Sequence, residues 1–245
     1  MLIHPLQTPS LHFVSQSQSQ SPAPSKSMAY IVSVQLFPKP SKRELIFEAL
    51  IPEEKFVRES EDFTSAYYFF KPEDDPNLAL GIEFYPDRKS LHETHMGSEP
   101  FKSFAAKLPE LVAKDFVMEE FAPANVGFLA RPEFSKYQSP DIYILLVNYT
   151  FKPGMRDTVL SWMAEIAQDV TDNEPTCYSY FYAKSLENPD KILIFERYAN
   201  RSAFEDIHRE AAVFKKVFAR MEKEEVVVER KVWFCTEGLG FLARD

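Results

Sequence analysis

Two histidines, His95 and His208, lie 113 residues apart, and each follows the same set of side chains at the same spacing: Tyr67, Glu83, Tyr85 and Arg88 before the first, Tyr180, Glu196, Tyr198 and Arg201 before the second. A neutral imidazole is the side chain best suited to take a proton near neutral pH. A buried carboxylate beside it raises its basicity, and tyrosine hydroxyls can donate to an oxyanion as it develops. The set therefore suits proton abstraction from a phenol or an activated C–H, with stabilisation of the resulting anion. Leu91 and Phe204 precede the two histidines by four residues, which turns both imidazoles toward a sheet or the rim of its cavity. Glu83 and Glu196 have two roles open to them: orienting the histidines, or binding Arg88 and Arg201. A structural reading also stands, with each histidine a satisfied polar contact to its glutamate and most tyrosines in the core.

The elements that must hold these residues come from an internal repeat. Gly127-Phe128-Leu129-Ala130-Arg131 recurs as Gly240-Phe241-Leu242-Ala243-Arg244, and the same offset superposes Tyr30 on Tyr143, Lys39-Pro40 on Lys152-Pro153, Glu61 on Glu174 and, without a gap, Phe121 on Phe234. The second copy reads as a strand over 142–151, a helix carrying Val159, Leu160, Met163, Ile166, Ala167 and Val170, strands over 176–184 and 191–198, a helical stretch capped by Asn200, and a last strand over 226–236. That order is β-α-β-β-α-β, a ferredoxin-like unit. The first copy repeats it with one defect: Pro52 predicts a helix that stops near Leu50 and packs more loosely. Several strands are apolar at both parities, so both sheet faces are buried. The expected fold is α+β, two ferredoxin-like units joined face to face in a single-chain pseudo-dimeric α/β barrel with the helices outside. Residues 28–131 form the first unit, 132–140 a linker bounded by prolines, and 141–245 the second unit. Residues 1–27, rich in Ser, Gln and Pro, read as a disordered leader without a convincing targeting signal.

Composition narrows the function. The chain of 245 residues carries 37 acidic against 28 Lys and Arg, a net charge of −9, with no basic stripe, which argues against nucleic acid. No apolar run is long enough to span a membrane. Two cysteines, Cys177 and Cys235, exclude a disulfide framework and point to a reducing, cytoplasmic setting. His92-x-x-His95 is the nearest approach to a metal motif, but the second copy has Glu205 in place of His92 and no third ligand is evident. Trp162 and Trp233 align with Ala49 and Glu120, so the two units cannot hold identical cavities. The 22 Phe and 11 Tyr, against only 6 Gly, must either fill the doubly buried sheets or line a cavity.

Glu174-Pro175-Thr176-Cys177, Tyr180, Phe195-Glu196-Arg197-Tyr198, then Ser202-Ala203-Phe204 to His208 and Phe214 resemble the antibiotic biosynthesis monooxygenase family. The first unit shows the same skeleton in Ile82-Glu83-Phe84-Tyr85-Pro86-Asp87-Arg88, His95 and Gly97 to Phe101. The resemblance implies small dimeric barrels with a cavity between sheet and helices, made covalent here by duplication, with further homo-oligomerisation left open. It also implies, for some members, oxygenation of phenols, hydroquinones or anthrones by molecular oxygen with no cofactor. On this reading His95, His208, Glu83 and Glu196 are catalytic, while Tyr67, Tyr180, Tyr85, Tyr198, Arg88 and Arg201 contact a hydrophobic aromatic molecule. The alternatives are a non-catalytic small-molecule-binding or stress-response barrel, and an isomerase or cyclase using the same cavity.

Overall fold

The computed structural model describes residues 29–135 and 138–244. The leader expected at 1–27 lies outside the described residues, as do positions 136 and 137 of the expected linker. Strand β1 (Tyr30–Leu36) leads into helix α1 (Arg43–Ser60), strands β2 (Ala66–Pro72) and β3 (Ala79–Tyr85), a π-helical turn (Ser90–His95), helix α2 (Glu99–Leu111) and the long strand β4 (Val117–Phe128). The second half repeats this as β5 (Tyr143–Phe151), α3 (Arg156–Asn173), β6 (Cys177–Ser185), β7 (Lys191–Tyr198), a π-helical turn (Ala203–His208), α4 (Ala212–Lys223) and β8 (Val227–Phe241).

Each unit forms an antiparallel four-stranded sheet, and the two join edge to edge because the last strand of each is long enough to reach the other. β4 pairs with β1 and then with β6; β8 pairs with β5 and then with β2. The result is a closed barrel in the order β1-β3-β2-β8-β5-β7-β6-β4, which leaves no unpaired edge. Its interior is filled by side chains from both units, among them Tyr68, Phe70, Phe84, Phe121, Phe195 and Trp233. Two further clusters lie between each sheet and its own helices. Much of the aromatic surplus is accounted for here, since a fully buried large apolar side chain contributes about 1.5–3 kcal/mol.

Three expectations need correction. Helix α1 does not stop at Leu50; it runs unbroken through Pro52 to Ser60. Pro52 sits on the exposed face, as does Glu48, whose carbonyl loses its helical donor there, so water can take that bond. The first unit is also not the looser one, as its cavity below makes clear. Finally, the gap-free register fails in the last strand. Leu145 pairs with Phe234, whereas its equivalent Val32 pairs with Glu120, so Phe121 matches Cys235 and Trp233 matches Glu119. One extra residue in β4 restores the offset by Gly127, within a bulge that puts Asn125 at φ 57°.

Gly127 and Gly240 are required where the strands cross to the other unit. Both have positive φ, and a Cβ at either would lie about 2 Å from a backbone oxygen, of Tyr180 and Tyr67 respectively. Beyond them, Arg131 donates to the carbonyls of Val170, Glu174 and Cys177 in the second unit. Arg244 does the same for Val57, Glu61 and Thr64 in the first. Each unit thus ends in an arginine that caps the C-terminal carbonyls of the other unit's first helix.

Candidate functional site: two equivalent sites, one open

The residues those arginines fix are Glu61 and Glu174, which follow the last residues of α1 and α3. Their carboxylates meet the histidines: Glu61 Oε2 lies 3.0 Å from His95 Nδ1, and Glu174 lies 3.0 Å from His208 Nδ1. The π-helical turns carry each histidine inward, leaving His95 1% and His208 0% exposed. A carboxylate at Nδ1 holds that nitrogen as a donor and directs Nε2 toward the sheet. Glu83 and Glu196, expected to hydrogen-bond the histidines, instead accept from the next tyrosine on their own strand, Tyr85 and Tyr198, each at 2.8 Å. The mid-strand carboxylates point to the same sheet face as these tyrosines, out of direct reach of the ring nitrogens.

The two sites part at Nε2. In the first unit Glu53 of α1 lies 3.2 Å from His95 Nε2, so both ring nitrogens face carboxylates. Burial opposes the charge on this ring, but contacts with Glu53 and Glu61 and the field of Glu83 outweigh it and raise its pKa to about 10. His95 is thereby held toward its protonated form, with a carboxylate at each ring nitrogen and neither nitrogen turned to an open space. Burial raises Glu83 to about 7 against the opposing pull of His95 and Tyr85. The remaining cavity is about 30 Å³, room for a water at most. Phe69 fills the space over Gly81, whose missing side chain lets that ring in.

In the second unit Ile166 stands at the position of Glu53, and Ile194 at that of Gly81. Among the described residues His208 Nε2 meets no carboxylate; it lies 3.5 Å from the Tyr180 hydroxyl, which also accepts from Tyr182 at 3.1 Å. In front of Tyr180 opens a cavity of about 380 Å³, within the range of ligand pockets. Its walls are apolar and aromatic, from Leu145, Val147, Met163, Ile166, Phe204, Phe214 and Phe234, and its polar groups are Tyr149, Tyr180, Tyr182, Glu196, Arg209 and Arg230. Glu196, only 6% exposed, has its carboxyl pKa raised by burial, with His208, the Tyr198 hydroxyl and Arg230 pulling the other way. Tyr180 and Tyr182 are held far above the usual phenol range, chiefly by burial, so they stay protonated donors.

Of the residues singled out by sequence, the second unit brings Glu196 and Tyr180 to the cavity wall. His208 sits behind Tyr180, and Tyr198 braces Glu196. Tyr67, Glu83 and His95 surround the small void of the first unit, with Tyr85 behind Glu83. Arg88 and Arg201 touch neither cavity: Arg88 pairs with Glu120, and Arg201 with Glu73, Glu205 and the Tyr143 hydroxyl. Both follow the strand end by three residues and so point along the surface. The cavities differ, as expected, but neither tryptophan lines them. Trp162 packs under Arg220, and Trp233 lies inside the barrel. His92 and His95 diverge, His92 turning to Glu120. Among the described residues no group of three His, Cys, Asp or Glu side chains is arranged to hold a metal ion. Both cysteines are buried and free.

Residues 142–220 match the antibiotic biosynthesis monooxygenase family. No curated protein matches the chain. Among solved structures, a "putative monooxygenase" from Fusobacterium nucleatum superposes with a TM-score of 0.77 at 15% identity, covering 89% of this chain and 96% of that one. One of the same description from Lactobacillus acidophilus gives 0.73 at 13%, covering 89% and 100%. An "anthrone oxidase-like protein" gives 0.63 at 14%, covering 89% and 94%. At these identities the likeness is one of fold, and it spans both units. No helix among the described residues is long and apolar enough to cross a membrane. Most of the open site's lining thus comes from residues 142–220, the segment that is similar to the antibiotic biosynthesis monooxygenase family, with Arg230, Val232 and Phe234 added by β8, in a chain folded as one eight-stranded barrel.

Proposed function

We propose that the chain is a cofactor-independent monooxygenase whose second-unit cavity takes a planar phenol, hydroquinone or anthrone. The observation that carries this reading is a buried carboxyl of raised pKa, Glu196, on the wall of an apolar cavity of about 380 Å³ that also presents two tyrosine hydroxyls. A substrate that supplies its own electrons must first lose a proton, and a carboxylate desolvated in this way is a stronger base than one in water. Glu196 takes the proton, and Tyr198 steadies the carboxylate. Tyr180, whose oxygen accepts from Tyr182, turns its one hydroxyl hydrogen from the long 3.5 Å contact with His208 to the substrate oxygen on which the charge collects. For an anthrone, the carbanion gives two electrons to molecular oxygen as a C–O bond forms. The peroxide then loses water, so that one O2 becomes the new carbonyl oxygen and one water. The apolar wall keeps bulk water from the anion.

Oxygen uptake with anthrone and a panel of hydroquinones tests this reading. One O2 consumed per product, with a loss of about a hundredfold or more in Glu196→Gln, is the expected result. Wild-type protein that consumes no oxygen, or a variant that consumes it equally fast, overturns it. The placement of His208 behind Tyr180, out of the cavity, favours a second reading: a barrel that binds a hydrophobic aromatic molecule without transforming it. That reading requires saturable binding of the same compounds with no oxygen uptake.

A further inference from the structure

The mouth of the second-unit cavity carries two arginines that the first unit lacks. Arg209 follows His208 at the end of the π-helical turn, and Arg230 lies near the start of β8; their equivalents are Met96 and, in the corrected register, Phe116. Each guanidinium rests against rings at the cavity mouth: Arg209 lies 5.9 Å from the Phe204 ring, and Arg230 lies 5.5 Å and 5.6 Å from those of Tyr149 and Phe218. Such contacts orient the planar forks at the mouth, where Arg230 also reaches the Tyr149 hydroxyl and acts on Glu196 through its field. Neither arginine has a carboxylate within ion-pair distance among the described residues. The glutamates of the adjoining outer groove do not supply one: Glu210 pairs with Lys215, Glu225 with Lys152, and Glu222 reaches neither arginine. An acidic protein that sets two arginines with no ion-pair partner over an apolar cavity has a site suited to a ligand that is apolar at one end and anionic at the other.

We infer that the ligand of the second-unit cavity is an aromatic molecule bearing an anionic substituent, its rings in the cavity and its carboxylate or equivalent oxyanion held at the mouth by Arg209 and Arg230. This inference rests on the reading of that cavity as the ligand site. It adds a polarity that fixes which way the ring system enters, with the uncharged end toward Glu196 and Tyr180.

Titration calorimetry on the full chain tests the inference, with anthraquinone-2-carboxylate and its neutral amide, anthraquinone-2-carboxamide, as probes. The carboxylate is expected to bind at least tenfold more tightly than the amide and to weaken with added salt. Arg209→Gln and Arg230→Gln should each cost the carboxylate threefold or more and leave the amide unchanged. Lys216→Gln, which alters an exposed charge on the nearby helix α4 outside the cavity lining, should change neither. Equal binding of the two probes, or arginine variants that weaken both alike, overturns the anionic requirement while the cavity reading stands. If neither probe binds, the cavity reading fails and takes this inference with it.

Discussion

At the same turn of the first helix, one unit places Glu53 beside its histidine and the other places Ile166. The rest of the two sites is nearly superposable: a histidine on a π-helical turn, a glutamate at the helix end on Nδ1, a mid-strand glutamate braced by tyrosine. Yet one ends as a closed, charged knot and the other as a cavity. A third carboxylate in the knot faces the second ring nitrogen and favours the protonated imidazole, and Phe69 over Gly81 removes the remaining space. In the open site an aliphatic side chain stands where that carboxylate would be, so Nε2 of the histidine faces Tyr180 instead. Two positions, 53/166 and 81/194, thus separate a filled core from an open cavity built on the same frame.

The comparison can be broken at its strongest contact. Glu174→Ala leaves His208 without a carboxylate partner on either nitrogen, and breaking a buried pair costs about 3–5 kcal/mol. Glu61→Ala should cost less, because Glu53 still faces His95. Urea unfolding of the two variants side by side checks this, and equal losses would mean that the sites are held alike.

A second prediction concerns pH. The folded-state pKa of His95 is raised from 6.5 to about 10, so its contribution to stability is complete below pH 6.5 and is lost as pH rises toward 10. Glu83, raised from 4.5 to about 7, acts in the same direction over its lower window. Stability of the wild-type chain should fall by on the order of a few kcal/mol between pH 6.5 and 10. Glu53→Ile, which makes the first site like the second, should flatten that slope, because the variant already lacks at pH 7 the part of the contribution that Glu53 supplies. A slope unchanged in the variant would place its origin elsewhere.

Packing supplies the next contrast. Gly81→Ala would put a methyl 2.5 Å from Phe69 Cε1 and should cost about 1–3 kcal/mol in thermal or urea unfolding, whereas Ile194→Val at the equivalent place should cost about 0.5–1.5 kcal/mol. The smallest effect is on the cavity itself. Ile166→Glu should weaken binding of the neutral anthraquinone probe about tenfold, equivalent to about 1.4 kcal/mol. Binding that survives this change would show that the ligand does not lie against α3.

The frame was readable in the sequence because the two halves carry the same element order and many of the same residues. Tyr30/Tyr143, Glu83/Glu196 and Gly127/Gly240 mark strand, site and crossover in both copies, and doubly apolar strands imply two buried faces. Glu61 and Glu174 matched across the repeat as well, and that signal would have found the partners of the histidines. The mid-strand glutamates drew attention instead, because a strand hides how far a side chain reaches, whereas the helix end delivers Glu61 and Glu174 directly to Nδ1. Arg209 and Arg230 gave no such signal, because they sit where the copies differ. The one-residue slip in β4 further hid Arg230 by aligning it with Val117 instead of Phe116. Repeats reveal the scaffold; what distinguishes the two sites lies in the positions that do not repeat.

The crossed strands β4 and β8, with Arg131 and Arg244 at their ends, bear on how such a pair of sites can diverge. In a homodimer one gene specifies both halves, so any residue that seals one site seals the other. Joining the halves in one chain removes that symmetry while the crossed strands keep them mechanically dependent on each other. One copy is then free to give up its opening and serve as ballast for the other. Cutting the chain near residue 135 should therefore yield not two working barrels but two fragments, each lacking the arginine that secures its own glutamate.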